Sequence, residues 1–162
     1  MKSYYGLKTP TDSGREPLNI DEQKYKPFFE DFNNTLSIIH YPAQGHQDDR
    51  LPAHNDAALM TVLWAPQPGL DILVDGEWHA FTTPPGYVIV QLGDGLQLWT
   101  NNQTNPLTHR VQVIPNVART AIASFCTLPM DAPFNCLVDD SVITNTFGEF
   151  IREHLKETYK PR

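Results

Sequence analysis

The chain has 162 residues, enough for one domain with a hydrophobic core and too few for two. Its net charge of −7 argues against a basic nucleic-acid-binding face and against adhesion to an anionic membrane. No apolar run approaches the roughly 20 residues that a membrane helix needs, and residues 1–10 lack the apolar core of a signal peptide. The two cysteines do not make a disulfide framework, so we expect a reduced, cytoplasmic protein.

Short strands dominate the predicted elements. Nine glycines and fourteen prolines separate short apolar runs, a pattern typical of proteins with many turns and many strands. Asp75-Gly76, between two such runs, is the strongest hairpin signal in the chain. The final residues, 145–159, carry apolar side chains at helical spacing and predict a C-terminal helix. In chain order the runs predict strands at residues 35–41, 57–64, 70–74, 77–81, 87–91, 96–100, 107–114 and 119–128.

This order of elements predicts an all-β fold. About eight short strands at even spacing, followed by one helix, favour a double-sheet jelly roll or a barrel. We divide the chain into a short N-terminal extension, residues 1–34, and a β-domain, residues 35–162. The extension shows no apolar period over residues 1–19, and Pro27 restricts the short helix that could follow.

His54 and Asp56 form the most informative pair of side chains. They stand two apart before a strongly apolar run, and side chains two apart on an extended strand point to the same face. His109, in a later predicted strand, reaches the same point if the sheet folds back on itself. Two imidazoles and one carboxylate on one side of a metal leave three positions open, which suits non-haem Fe(II) and O2 chemistry. His46 and Asp48 have the same spacing but lie in a polar loop, where solvated surface is the simpler interpretation.

Arg119 opens an otherwise uncharged predicted strand. A charge that enters a core-like strand needs an anionic partner, and no acidic residue lies nearby in the sequence. Two partners fit: a distant Asp or Glu in a salt bridge, or a ligand carboxylate, which a guanidinium binds with two parallel hydrogen bonds. Tyr41 is either a second donor to the same carboxylate or an ordinary strand aromatic. His154, on the predicted C-terminal helix, is expected to be exposed.

A series of linked motifs between residues 35 and 129 resembles the Fe(II)- and 2-oxoglutarate-dependent dioxygenase superfamily. The likeness is greatest to the branch of isopenicillin N synthase and the plant flavonoid and gibberellin oxygenases. It implies a double-stranded β-helix, the jelly roll of this family. Besides the metal triad, the motifs are Gly69-Leu70, Asp75-Gly76-Glu77-Trp78, Pro85-Gly86, Leu92-Gly93-Asp94, the run from Leu96 to Asn101, and His109-Arg110-Val111 before Arg119.

The resemblance also implies an activity and its site. His54, Asp56 and His109 would hold Fe(II), while Arg119, with Tyr41, would bind the distal carboxylate of the cosubstrate 2-oxoglutarate. The implied enzyme is an oxidoreductase that uses O2 to hydroxylate, desaturate or cyclise a small-molecule substrate, with release of succinate and CO2. The substrate-pocket candidates, chosen by strand position, are Phe125, Trp64, Leu96 and Phe134.

Two departures from the family pattern leave alternatives open. The family usually places Ser two residues after the carboxylate-binding Arg, and Ala121 stands there in this chain. An Fe(II) oxidase of the isopenicillin N synthase type, which needs no 2-oxoglutarate, therefore stays an alternative. Family members also carry a sizeable region before the core, where this chain has residues 1–34. The chain is then a compact member, a fragment, a protein whose missing pocket wall another chain supplies, or a non-catalytic remnant. An uncovered sheet face would favour a homo-oligomer.

Overall fold

The computed structural model describes residues 20, 22–30, 33–43 and 51–158. His46 and Asp48 lie outside the described residues. In chain order the helices and strands are α1 (Glu22–Glu30), β1 (Asn33–Tyr41), β2 (Leu51–His54), β3 (Met60–Trp64), β4 (Leu70–Val74), β5 (Glu77–Phe81), β6 (Ile89–Leu92), α2 (Asp94–Trp99), β7 (His109–Val111), β8 (Arg119–Thr127), β9 (Phe134–Asn135), β10 (Val142–Thr144) and α3 (Phe147–Thr158). Among these helices none is both long and apolar enough to cross a membrane.

Two four-stranded antiparallel sheets face each other across the core. The first has the order β1-β8-β3-β6 and the second the order β2-β7-β4-β5, while β9 and β10 form a separate pair. Strands that are far apart in the sequence are neighbours in each sheet, so the chain passes repeatedly from one sheet to the other. This is the connectivity of a jelly roll. The predicted all-β jelly roll with a C-terminal helix is confirmed.

Two strand registers decide which functional side chains meet. In the first sheet, Tyr41 at the end of β1 lies opposite Arg119 at the start of β8. In the second sheet, His54 at the end of β2 lies opposite His109 at the start of β7. Residues directly opposite each other on neighbouring strands project from the same face of the sheet. Each register therefore brings together two of the side chains that the sequence singles out.

Two apolar clusters hold the elements together. The first lies between the sheets and consists of Leu63, Ala65, Leu70, Ile72, Ala121 and Ala123. The second lies where α2 and α3 meet the end of β8, and consists of Leu59, Trp99, Leu128, Phe134, Leu137, Phe147 and Phe150. Helix α1 joins the second cluster through Phe28, whose ring centroid lies 5.6 Å from that of Trp99. Burying one such large side chain stabilises the fold by about 1.5–3 kcal/mol.

The strand predicted at residues 96–100 is wrong, because these residues belong to α2 and its C-terminal cap. Leu96 and Leu98 stand on either side of the polar Gln97, as in a strand, and so short a run cannot be assigned by periodicity alone. The helix ends at Thr100, whose Oγ1 donates to the carbonyl oxygen of Leu96 at 2.8 Å. The helix forms here because its first residues pack closely against the segment that follows β2, as described below.

The remaining boundaries differ in smaller ways. The strands predicted at 70–74 and 77–81 coincide with β4 and β5, and the helix predicted at 145–159 is Phe147–Thr158. The strand predicted at 57–64 begins only at Met60, because residues 57–59 form a bend. Strand β2 is absent from the predicted set. The domain boundary after residue 34 stays a prediction, although β1 begins at Asn33.

The outer face of the first sheet is apolar and exposed. On this face Leu36 is 68%, Ile38 71% and Val90 58% exposed. A contiguous apolar surface of this kind favours association. This face supports the predicted homo-oligomer, which stays a prediction.

Candidate active site

The structure brings His54, Asp56 and His109 together. One ligand atom from each lies within 4.8 Å of the other two. The Nε2 atoms of His54 and His109 lie 3.7 Å and 3.8 Å from Asp56 Oδ1. Atoms that share one ion at about 2.0–2.2 Å each stand up to roughly 4.4 Å apart. The two His–Asp56 distances lie within this limit and the 4.8 Å bound on the group is slightly above it, so small side-chain adjustments bring the three ligand atoms onto a single metal ion.

Backbone carbonyl groups fix the tautomer of both imidazoles. The Nδ1 of His54 lies 2.8 Å from the carbonyl oxygen of Pro52, and that of His109 lies 3.1 Å from the carbonyl oxygen of Leu107. A carbonyl oxygen only accepts, so each Nδ1 carries the proton and each Nε2 keeps its lone pair. Burial lowers the pKa of His54 below its usual value, and the neighbouring His109 lowers it further. His54 is therefore neutral at pH 7, the form in which an imidazole binds a metal.

Two buried donors orient the Asp56 carboxylate. Its Oδ2 accepts hydrogen bonds from Thr61 Oγ1 at 2.6 Å and from Gln91 Nε2 at 2.7 Å. A buried carboxylate needs such donors, and both residues are almost fully buried. With Oδ2 held in this way, Oδ1 is the oxygen that faces the two imidazoles.

The expectation that His54 and Asp56 share one extended strand is wrong in one respect. Strand β2 ends at His54, and Asp56 lies in the irregular segment before β3. Its position comes from donors on β3 and β6 and not from strand alternation. Sequence reasoning missed those donors, Thr61 and Gln91. The signal that could have found them is a polar residue at an inward position of an otherwise apolar strand.

Arg119 and Tyr41 line the same cavity as the triad. Arg119 is only 2% exposed, and its guanidinium carbon lies 5.4 Å from the centroid of the Tyr41 ring. A cation over an aromatic face is held by about 0.5–2 kcal/mol, more when water is excluded. The contact places the buried positive charge of Arg119 next to the phenol of Tyr41. Together the two groups can donate hydrogen bonds to a carboxylate.

The cavity between the two sheets has a volume of about 330 Å³. One of its walls is the inward face of β8, where alternate residues from Arg119 to Thr127 point into it. Another wall is α3, which contributes Ile151, His154 and Leu155. The volume lies at the lower end of the range for small-molecule pockets.

Of the four predicted pocket residues, only Phe125 lines the cavity. Trp64 is 37% exposed on the outer face of the first sheet, because residues alternate along β3 and Thr61 and Leu63 point inward. Leu96 packs against the second apolar cluster, since α2 is a helix and not a strand. Phe134 is fully buried in that cluster, with its ring centroid 4.9 Å from that of Phe147.

The hydroxyl group that the family places two residues after Arg119 has no substitute among the nearby threonines. Ala121 is buried on the inward face of β8. Thr120 Oγ1 points to the other face and lies 3.0 Å from His40 Nδ1. Thr127 Oγ1 donates to the backbone carbonyl of Asn33 at 2.6 Å. The missing hydrogen bond is therefore not restored by either residue.

Comparison with known proteins assigns this arrangement to a family. The model of the 2OG-Fe(II) oxygenase superfamily matches residues 32–128, which is more than half of the chain. The chain belongs to the 2OG-Fe(II) oxygenase superfamily. The resemblance stated from the sequence motifs is thereby confirmed.

The chain covers only part of the length of the curated relatives and solved structures that it resembles. Gibberellin 2-beta-dioxygenase 8 of Arabidopsis thaliana is 33% identical over 112 residues, which cover 68% of this chain and 33% of that protein. The 2-oxoglutarate-dependent dioxygenase 21, chloroplastic, of Oryza sativa subsp. japonica is 36% identical over 95 residues, covering 56% of this chain and 28% of that protein. A crystal structure of JOX2 in complex with 2OG, Fe and JA superposes with a TM-score of 0.72 at 25% identity, covering 89% of this chain and 49% of that one. The chain thus spans about half the length of this structure and about a third of the two curated relatives.

Proposed function

We propose that this chain forms the catalytic core of an Fe(II)- and 2-oxoglutarate-dependent oxygenase that oxidises a small molecule. The observation that carries the proposal is the convergence of three ligand atoms within 4.8 Å, in a cavity that also contains a buried arginine. Membership of the 2OG-Fe(II) oxygenase superfamily and the likeness to the JOX2 complex, which contains 2OG and Fe, support it.

His54, Asp56 and His109 would hold the Fe(II) ion. Two neutral nitrogen ligands and one carboxylate on one side of the ion are the ligand set of non-haem Fe(II) oxygenases. When bound, the ion supplies the activation of O2. The protein keeps each imidazole in the tautomer that presents Nε2 and keeps Oδ1 of Asp56 turned toward the same point.

Arg119 and Tyr41 would bind the distal carboxylate of 2-oxoglutarate. A guanidinium forms short, charge-assisted hydrogen bonds with a carboxylate, and these are stronger where water is excluded. Arg119 is almost fully buried, and the neighbouring wall of the cavity consists of the small apolar side chains Ala121 and Ala123. The two alanines leave room for the cosubstrate and keep water from the reacting groups.

The cavity supports a small and largely apolar substrate. Most of the surface that its lining residues present to the cavity is apolar, including Phe125 on β8 and Leu155 on α3. The net charge of −7 disfavours nucleic acid as the substrate. The products of the coupled reaction are succinate, CO2 and a hydroxylated, desaturated or cyclised substrate. The cytoplasmic location stays a prediction.

Anaerobic titration with Fe(II) and then 2-oxoglutarate tests the proposal. We expect the weak visible charge-transfer band of the chelated oxo acid in the native chain, and its loss in Asp56→Asn. Arg119→Ala should shift the 2-oxoglutarate titration to higher concentration. Asp71→Asn is the matched control, because Asp71 is a second buried carboxylate, bonded to Arg110 instead of the triad. Iron binding that survives Asp56→Asn unchanged would rule out the assigned ligand set.

One observation favours a second candidate, an Fe(II) oxidase that needs no 2-oxoglutarate. Ala121 removes one donor for the cosubstrate carboxylate, and Thr120 faces away from the cavity. Succinate measured after addition of 2-oxoglutarate, Fe(II) and O2 separates the two candidates. Iron binding without the visible band, and without succinate, favours the second candidate.

A further inference from the structure

The Gly93-Asp94-Gly95 segment packs against the backbone that carries Asp56. A Cβ atom on Gly93 would stand 2.6 Å from the carbonyl oxygen of Asp56 and 2.2 Å from that of Ala58. A Cβ atom on Gly95 would also meet the Ala58 carbonyl oxygen, at 3.1 Å. Real Cβ atoms do not approach backbone oxygens as closely as the first two distances, so the start of α2 reaches this segment only because Gly93 lacks a side chain. The residue between the glycines, Asp94, is thereby placed beside the metal ligands.

Asp94 is hydrogen-bonded to the irregular segment between β2 and β3. Its backbone N–H donates to the carbonyl oxygen of Asp56 at 2.8 Å. Its Oδ1 accepts from Nδ2 of Asn55, the residue between two triad members, at 2.8 Å. The other end of that amide, Asn55 Oδ1, accepts from Thr108 Oγ1 at 2.7 Å. Because Thr108 directly precedes His109, the chain of bonds joins the backbone segments of all three ligands.

The second oxygen of Asp94 is bonded to the C-terminal helix. His154 Nε2 donates to Asp94 Oδ2 at 2.7 Å, and the two side chains are only 14% and 22% exposed. The expectation that His154 is exposed is therefore wrong, because its ring lies against Asp94 at the start of α2. The ring of His154 also packs edge-to-face against that of Phe150, with the ring centroids 5.8 Å apart. His154 also lines the cavity, so the bond joins a wall of the pocket to Asp94.

We propose that Asp94 is a positioning residue for the metal centre, and that His154 connects that centre to α3 through it. The segment that carries Asn55 and Asp56 lies outside the sheets, so strand pairing does not fix it. The Asp94 carboxylate, with one oxygen on Asn55 and the other on His154, fixes the backbone of this segment, while the donors on β3 and β6 orient the Asp56 side chain. Loss of an outer partner of a metal ligand typically costs 10–100-fold in metal affinity.

Metal binding tests this proposal without turnover. The proposal rests on the proposed function only in requiring that the triad binds a metal. Co(II) is the probe, because it follows Fe(II) in the affinity series and its visible absorption reports the ligand geometry. Dissociation constants and spectra would be compared for the native chain, Asp94→Ala, His154→Ala and the double variant. Glu153→Ala is the matched control, since Glu153 is the exposed neighbour of His154 on the same helix.

We expect about tenfold weaker Co(II) binding and an altered spectrum for Asp94→Ala. His154→Ala should weaken binding several-fold, and the double variant should be no weaker than Asp94→Ala, because both changes break one chain of bonds. Asp94→Asn and His154→Gln keep a hydrogen bond and should recover most of the affinity. Thr108→Val removes one hydroxyl group with little change of shape. It therefore tests the same series of hydrogen bonds if the alanine variants fold poorly.

Three results would overturn the proposal. Binding within twofold of the native chain in both alanine variants, with an unchanged spectrum, would show that Asp94 does not position the ligands. Additive effects in the double variant would show that His154 acts by another route. If the native chain itself bound no Co(II), the proposed function would fail as well. Equal Co(II) binding by the native chain and all variants would instead contradict only the role of Asp94.

Discussion

Tyr41 lies directly opposite Arg119 across the β1–β8 pairing, with its ring centroid 5.4 Å from the guanidinium carbon. The pair separates two contributions that can be tested apart. Tyr41→Phe keeps the ring beside the cation and removes only the hydroxyl group. If the hydroxyl donates to the cosubstrate carboxylate, 2-oxoglutarate binding should weaken by about tenfold, since hydrogen bonds to charged groups contribute about 1.5–3 kcal/mol. Tyr41→Leu removes the ring as well and should weaken binding further, as isothermal titration would show.

Ala121→Ser should tighten 2-oxoglutarate binding by about 10–100-fold. The new hydroxyl would stand on the inward face of β8, two residues from Arg119, and supply a donor to the carboxylate. Ala123→Ser is the matched control, because it introduces the same group on the same face two residues farther from Arg119. The KM for 2-oxoglutarate in succinate formation is the measurement. Equal effects of the two substitutions would contradict the assignment of the carboxylate site.

Thr61→Val should weaken Fe(II) binding by about tenfold. The substitution conserves shape and removes one of the two donors to Asp56 Oδ2, so the carboxylate is free to rotate away from the imidazoles. Thr83→Val is the control, since Thr83 is equally buried but accepts a hydrogen bond from the Ala65 N–H, away from the triad. Both variants should lose about 1–3 kcal/mol of unfolding free energy, because each removes a buried hydrogen bond: Thr83→Val leaves the Ala65 N–H unpaired, and Thr61→Val leaves Asp56 Oδ2 with the Gln91 bond alone. An identical metal affinity in the two variants would argue against this role for Thr61.

Phe134→Ala should lower the free energy of unfolding by about 3–5 kcal/mol, because a fully buried phenylalanine is lost from a packed cluster. Metal affinity of the folded fraction should stay the same. Phe125→Ala should lower the free energy of unfolding less and should change the preference among small-molecule ligands, since Phe125 lines the cavity. Urea denaturation, Fe(II) titration and small-molecule binding, measured for both variants, check the pair. A pocket role for Phe134 would appear instead as altered ligand binding at unchanged stability.

The sequence allowed the parts of the fold that depend on local chemistry to be predicted. The β4–β5 hairpin follows from Asp75-Gly76, where both residues have the positive φ angles that a tight turn requires (50° and 82°). The meeting of His54, Asp56 and His109 was predictable, because histidine and aspartate are rare beside apolar strands. Helix α2 was not, because six residues carry too little periodicity and its place is decided by a close contact with a segment 35 residues away.

The supporting residues of the site were also beyond sequence reasoning. Thr61 and Gln91 look like ordinary strand residues until the register of β3 with β6 places them opposite each other. Asp94 and His154 are 60 residues apart and meet only because the fold brings α3 to the start of α2. Contacts at such separation depend on the whole topology, which no local pattern encodes.

Strand β8 has a consequence for how a protein of this kind acquires a new substrate. Phe125 lies six positions after Arg119, about 20 Å along an extended strand, and the inward side chains between them, Ala121 and Ala123, are only methyl groups. The proposed metal ligands come from other segments, β2, β7 and the residues after β2. A single substitution at position 121 or 123 therefore changes the room for the reactants without displacing the metal site or Arg119. Divergence of specificity in this scaffold can proceed by one side chain at a time, along one strand, while the residues proposed for the oxidising chemistry stay in place.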